Sequence, residues 1–313
     1  NKRIKNLKTM NNSNWWKKIK GICGMQQITN DPIGNLTYRN ETITENELPE
    51  LVNEFLCSLT HRVAPLASSV IDQLKSELDA SNDSVVVSEL EVYQALSTLK
   101  SRKASLSDAI PNKLLLNLAD ILAAPIAALV NSSIRTGCIP REWKISRVTL
   151  IPKVNPAFRV ETDIRPISIS CPIAGVAERI ISRHFDEHFT PRQDPNQFGV
   201  TRDRSTVLAL VKLCHILFTA SDDCCNYIRI LFIDFTKAFD LIDHNVLLNK
   251  FVDYEFPLWL KTWSLSFLHE RSQFVKAGDI TSSVMTINAG APQGTRAGGN
   301  NFKLLVNDLN CST

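Results

Sequence analysis

Residues 231–240 read LFIDFTKAFD, and the way this stretch folds decides the class of the whole chain. Ile228, Ile230, Leu231, Phe232 and Ile233 form an apolar run interrupted only by Arg229. Such a run predicts a strand over 227–235 buried on both faces, because a half-exposed strand would alternate apolar with polar. It ends at a carboxylate, Asp234. An acid at the end of a buried strand is costly unless a cation or hydrogen bonds satisfy it. Phosphoryl-transfer chemistry uses that placement to hold a divalent metal, since Mg²⁺ takes oxygen ligands and bridges substrate phosphates. A strand-end aspartate that merely caps the next turn is the alternative.

Three other stretches share a pattern with this one. They are LIPKVNPAFRVETDIRPISI (150–169), NQFGVTRDRSTVLAL (196–210) and GAPQGTRAGGNNFKLLVNDL (290–309). Taken with LFIDFTKAFDLIDHNVLL (231–248), they resemble, in order, the fingers motifs, the segment after them and two palm motifs of reverse transcriptases. The form is that of non-LTR (LINE-like) retrotransposons, and it covers roughly Val85 to Leu309.

The resemblance implies an α+β polymerase right-hand fold, here fingers plus partial palm with the thumb absent. Its divisions would be a helical and linker extension over 1–84, fingers over 85–225 and partial palm over 226–313. The family's Asp-Asp palm motif and thumb are expected beyond Thr313, and its endonuclease before Asn1. The 313-residue chain alone is accordingly expected not to polymerise.

The activity implied is RNA-directed DNA synthesis, in which dNTPs are added to a primer 3′-hydroxyl on an RNA template. Asp234 is the implied catalytic residue and, with the Phe235 carbonyl, a ligand to two Mg²⁺ ions, for which Mn²⁺ can substitute. Lys153 and Arg165 match the two triphosphate contacts, one a point charge and the other a bidentate fork. Backbone amides at Lys237 and Ala238 would cap the same phosphates as a nest. Phe239 stands at the family's steric gate, where a ring under the sugar excludes a 2′-hydroxyl. By spacing alone Phe239 reads as core. Gln293 resembles the sugar and template contact, and Gly294 allows close backbone approach. Lys100, Arg102 and Lys103 resemble template-backbone contacts, with a solvated loop as the alternative.

Two departures from the family pattern stand out. Leu106 replaces the usual glycine of the basic loop, and Gly299 replaces a proline, which would loosen the start of the helix there. Asp308 reads as a helix cap or a surface group rather than a metal ligand. The alternative function is a non-catalytic nucleic-acid-binding remnant that keeps the fold.

Composition narrows the class without choosing a function. The chain has 313 residues, 44% apolar and 21% charged, within the range of globular proteins. Residues 1–30 carry +7 and the remainder −4, giving the net +3, so a basic arm suited to a polyanion precedes a mildly acidic body. Trp15 and Trp16 in that arm suit either base stacking or anchoring of a helix. The eight cysteines include no C-x-x-C pair, as expected of reduced intracellular thiols in nucleus or cytoplasm. The longest apolar stretch, ILAAPIAALV at 121–130, is too short to span a bilayer, so no membrane partner is expected.

Local signals predict the remaining elements. Ser88 with Glu91 forms a capping box opening a helix to about Lys100, with Leu90, Tyr93, Leu96 and Leu99 at helical spacing. Asn112 begins a long helix, kinked at Pro125, with Leu114, Leu115, Leu118, Leu122, Ile126 and Val130 inward and Gly137 past its end. Strands are predicted at 143–151 and 164–170. Helices follow from Ile173 to Phe189, after Ser205, after the N-cap Asp243, and from Leu258 to Glu270. A strand pair, 273–277 with 284–289, turns at Gly278-Asp279.

Overall fold

The computed structural model describes residues 36–81, 83–101, 110–222 and 228–309. The arm carrying Trp15 and Trp16, and the basic-loop residues Arg102, Lys103 and Leu106, lie outside them. Chain contacts divide the molecule into two compact units, Asn1–Glu45 with Ile151–Arg165, and Asn46–Leu150 with Pro166–Thr313.

In chain order the chain forms a short hairpin, β1 (Thr37–Tyr38) and β2 (Glu41–Thr42), then α1 (Leu48–Thr60), α2 (Ser68–Ser81) and α3 (Glu89–Ser97). The helices α4 (Asn112–Asn117), α5 (Ala119–Thr136) and α6 (Arg141–Lys144) lead to β3 (Ile145–Pro152), α7 (Val160–Asp163) and β4 (Ile164–Ile169). Then come α8 (Pro172–Phe189), α9 (Thr206–Asp222), α10 (His244–Asp253) and α11 (Leu258–Leu268). β5 (Arg271–Ala277), β6 (Ile280–Thr281), β7 (Met285–Ile287) and α12 (Arg296–Leu305) complete the described residues. The class is α+β, with no described helix long and apolar enough to cross a membrane.

Caps set several of these boundaries. The Ser88 hydroxyl accepts from the Glu91 amide at 3.2 Å while the Glu91 carboxylate takes the Ser88 amide at 2.8 Å, a complete capping box for α3. The Asp243 carboxylate accepts from the Asn245 amide at 2.7 Å and opens α10. Gly137 closes α5 in the left-handed conformation. Gly278, also left-handed, makes the tight turn from β5 into β6.

The large unit is held by one apolar core. α3 packs on α5 and α8, α11 on α2 and α5, and α12 on α8. Val92, Leu96, Val130, Ile134, Phe189, Leu260 and Leu268 are all inaccessible within it. Each such side chain removed from water contributes about 1.5–3 kcal/mol. Beside the core the sheet runs β4-β3-β5-β6, with β7 antiparallel to β5. β3 and β5 are parallel, Ile145 opposite Ser272 and Thr149 opposite Lys276. Burial alternates along β3, so Ser146, Val148 and Leu150 share its covered face.

The structure corrects several expectations. The run expected as a buried strand is neither a strand nor buried: from Ile228 to Phe235 the chain has no regular secondary structure and is open to solvent. Leu231, Phe232 and Ile233 are 83%, 78% and 69% exposed. Burial on two faces needs sheet neighbours, and none of the described strands pairs with this run. The single helix expected from Asn112 is two, broken at Leu118 and not at Pro125, which sits inside α5. Leu114, placed inward by spacing, is exposed because the break rotates α4 out of phase with α5. α3 stops at Ser97, short of Lys100, and buries Val92, Ala95 and Leu96 while Leu90 and Tyr93 face solvent.

α9 forms where expected but buries no residue; Val207, Leu210, Val211 and Phe218 are all exposed.

Candidate functional site

Two loops distant in sequence are bonded to each other in the large unit. Residues 236–241 form a turn in which the Asp240 and Leu241 amides both donate to the Lys237 carbonyl, at 3.0 and 3.1 Å. The second loop runs from Ala289 to Gly294. Its Ala291 amide donates to the Phe239 carbonyl at 2.8 Å, and its Gly290 amide to the Ile242 carbonyl at 2.8 Å. At the far end the Ser168 amide of β4 donates to the Gln293 carbonyl at 2.9 Å. The loop is thus fixed between the turn and the sheet.

Gly290 explains why the approach can be so close. Its φ is +88°, and a Cβ there would lie 2.9 Å from the backbone oxygens of both Phe239 and Asp240. Both are carbonyls in a bonded turn, so nothing can shift cheaply. Behind the loop, buried His244 sets an Nε2 2.7 Å from the Gly290 carbonyl. Loss of water lowers the pKa of this imidazole, and the bond to Gly290 opposes that only in part. The neutral ring therefore donates its Nε2–H to the carbonyl.

Phe239, Asp240, Gln293, Pro292, Ser168 and Gln273 are among the residues around a narrow cavity of about 30 Å³. Ser146 and Val148 from the covered face of β3 also line it, as does Arg271. The Arg271 guanidinium is fully buried. It donates to Ser146 Oγ at 2.8 Å and to the Phe267 carbonyl at 3.2 Å, and lies 4.4 Å from the Phe267 ring centre. Burial brings its pKa down to about 10, which leaves it charged. The cavity takes a water molecule and not a nucleotide, for which roughly 300 Å³ is needed.

The predicted residues divide as follows. Phe239 and Gln293 meet at this cavity. The Phe239 ring is half-buried and packs on Phe302 with centroids 5.3 Å apart, so it is both a core contact and a wall. Lys237 has a φ of +55°, which bends the turn, and Ala238 follows it half-buried. Gly294 is exposed beside Gln293. Asp234 is exposed, and the Phe235 ring meets Phe302 edge-on at 5.9 Å.

Lys153 and Arg165 belong to the small unit and are exposed. The Lys153 amide donates to the Asp163 carbonyl at 2.6 Å, which sets the two cations near one end of the β3 and β4 strands. Lys100 is exposed, and its carbonyl accepts from the Asn112 side chain at 3.2 Å. Its expected companions Arg102 and Lys103 lie outside the described residues.

One expectation about the last helix fails. Gly299 does not loosen the start of α12, which is capped by Thr295 accepting from the Gly298 amide at 3.1 Å. A Cβ at Gly299 would stand 2.6 Å from Val200 Cγ1, so glycine there serves close packing. Asp308 pairs with Lys250 at the surface, as expected of a surface group, and that partner lowers its pKa. Gly290, His244 and Arg271 escaped sequence reasoning. Only the dipeptide Asp243-His244, a cap followed by an imidazole, carried any local signal.

Among the described residues no three His, Cys, Asp or Glu side chains lie close enough together to hold a metal ion. Asp234 is a single exposed carboxylate. The described residues alone therefore do not fit a two-metal site.

Comparison with known proteins supplies the context for this geometry. Residues 151–313 match the family model described as reverse transcriptase (RNA-dependent DNA polymerase). The chain is 27% identical over 243 residues to the probable RNA-directed DNA polymerase from transposon BS of Drosophila melanogaster, covering 77% of this chain and 27% of that protein. It is 27% identical over 246 residues to the RNA-directed DNA polymerase from mobile element jockey of the same organism, covering 78% and 27%. A third relative is the putative 115 kDa protein in type-1 retrotransposable element R1DM, also of Drosophila melanogaster, 25% identical over 289 residues, covering 90% and 26%. The chain spans about a quarter of the length of these relatives.

Proposed function

Since the chain belongs to the reverse transcriptase family, in the form carried by LINE-like retrotransposons, we propose that it is the fingers and partial palm of an RNA-directed DNA polymerase. In the whole protein it would add dNTPs to a primer on an RNA template. The observation that carries this is the bond between the Phe239 turn and the Gln293 loop. Two motifs some fifty residues apart in sequence, matched to the same nucleotide, share one cavity wall.

In this reading the nucleotide lies over the mouth of the cavity, not inside it. The Phe239 ring is the surface the sugar meets, and its packing on Phe302 keeps it from turning away. Gln293, held through its own carbonyl by Ser168, offers its side-chain amide to the sugar and the templating pair. In the large unit the amides of Lys237 and Ala238 cap the phosphates, and in the small unit Lys153 and Arg165 are the cations that the resemblance assigns to the triphosphate. The nucleophile is the primer hydroxyl, so the protein's part is positioning and charge compensation. Asp234 and the Phe235 carbonyl would be this chain's ligands to a divalent metal such as Mg²⁺, which would supply further charge compensation when bound. The rest of the set is to be sought outside the described residues.

The test is template-dependent incorporation of dNTPs by the full-length protein and its Asp234→Asn variant. Loss of several decades of activity with template binding intact is the expected result. Activity within about tenfold of the unsubstituted protein, a barrier change of about 1.4 kcal/mol, removes Asp234 from the chemistry. An unsubstituted protein that binds template but incorporates nothing is instead a non-catalytic remnant.

A further inference from the structure

The small unit holds a groove, partly walled by the 150–169 stretch, whose residues have been given no role so far. Thr37, Arg39 and Asn40 of the hairpin line it on one side, and Arg159, Glu161 and Thr162 on the other, around about 330 Å³. The two walls are fastened together. The Thr37 amide and hydroxyl both donate to the Phe158 carbonyl, at 2.7 and 2.9 Å, and Thr37 bridges Arg159 in parallel. The Arg39 amide donates to Glu161 Oε1 at 3.0 Å. Below them the Asp163 carboxylate accepts from the amides of Phe158 and Arg159, both at 3.0 Å, and from the Thr162 hydroxyl at 2.8 Å.

These bonds decide which groups are left to face a ligand. Both threonine hydroxyl hydrogens are engaged within the unit, and the Asp163 carboxylate is turned toward backbone. The guanidiniums of Arg39 and Arg159 are exposed, and neither stands in an ion pair within 4 Å among the described residues. Arg39 instead lies over the Tyr38 ring, 5.0 Å from its centre. Together with the Asn40 amide, these forks present donors from both sides of the groove, countered by Glu161 and by the Asp163 charge that acts on Arg159.

The backbone adds a second observation. Arg39 and Asn40 have φ of +52° and +70°, the pair of left-handed residues that a type I′ hairpin turn requires. Asparagine takes that conformation readily, but the common partner is glycine, and arginine is seldom found there. Strained backbone that carries a functional group at a groove is a known mark of ligand contact.

Guanidinium forks match phosphate geometry, and the groove has the volume of about one nucleotide. The ring–guanidinium pair of Tyr38 and Arg39 offers a face on which a base can stack. We propose that this groove grips the phosphodiester backbone of a single nucleic-acid strand through Arg39 and Arg159. The proposal rests on the polymerase reading for the supply of such a strand, but not on catalysis.

The experiment is fluorescence anisotropy of labelled oligo(rA) and oligo(dA) with the purified chain across a salt series. Arg39→Ala and Arg159→Ala should each weaken binding about fivefold and flatten the log–log salt dependence by about 0.7. Glu161→Gln keeps the acceptor for the Arg39 amide and removes a negative charge, so it should tighten binding about twofold. Opposite signs from neighbouring residues cannot both come from misfolding. Arginine variants that bind like the parent, or a weaker Glu161→Gln, overturn the groove. So does displacement of the oligonucleotides by dATP at micromolar concentration, which would make it a free-nucleotide site. Failure of the groove leaves dNTP incorporation by the full-length protein intact, whereas failure of the polymerase reading leaves these binding constants as measured.

Discussion

The Ala291 amide donates to the Phe239 carbonyl across 2.8 Å, which makes the residue matched to the sugar and the loop matched to the template one hydrogen-bonded piece. Gly290, one position earlier, is where that piece is most easily broken. Gly290→Ala would set a methyl 2.9 Å from two carbonyl oxygens and force an alanine to a φ of +88°. The expected cost is about 2–3 kcal/mol. Urea denaturation of the chain checks it; a loss below about 0.5 kcal/mol would mean that the turn gives way.

Phe239→Val in the full-length protein should admit ribonucleotides. The half-buried ring packs on Phe302, so valine should retract its exposed edge while leaving an apolar contact behind. The ratio of kcat/KM for dNTP over rNTP should fall by roughly ten- to a hundredfold. An unchanged ratio in a folded variant would make Phe239 a core residue alone.

Lys153→Ala and Arg165→Ala should each raise the nucleotide KM by about tenfold, as loss of a charge-assisted contact to phosphate does. Primer–template affinity should move little. The reverse pattern would reassign both cations to the template.

Acid should weaken the large unit in a window set by its histidines. Burial lowers the pKa of His184, His244 and His269 from the ordinary 6.5. A lowered histidine binds its proton more readily in the unfolded chain. Its contribution is therefore complete above about pH 6.5 and is lost as pH falls toward the folded value. His244→Gln keeps a donor for the Gly290 carbonyl and cannot titrate. The stability difference between pH 7 and pH 5.5 should shrink in that variant; an equal difference would exclude His244 from the linkage.

Much of the fold was legible because its signals are local. The capping box at Ser88, the cap at Asp243 and the left-handed glycines at 137 and 278 act within a few residues of themselves. What escaped depends on partners. An apolar run such as 228–233 says that burial is wanted, not what provides it, and no described strand does. The close approach at Gly299 depends on Val200, about a hundred residues away, and could not be read from the glycine itself. In the candidate site the motif residues Phe239 and Gln293 were legible by resemblance. Their supports, Gly290, His244 and Arg271, were not, since their work is defined by backbone atoms of other elements.

The exposed run before Asp234 bears on how precisely that carboxylate can be aimed. A catalytic group must be held to about 0.5 Å, and side chains achieve this when their own backbone is locked on both sides. From Ile228 to Ile233 neither edge of the chain has a ladder partner among the described strands, so Asp234 hangs at the end of an untied cord. Pairing along that run would do two jobs at once: it would remove a sticky apolar edge from solvent and hold the acid in register. Ordering of this run and aiming of its carboxylate would then be one and the same step.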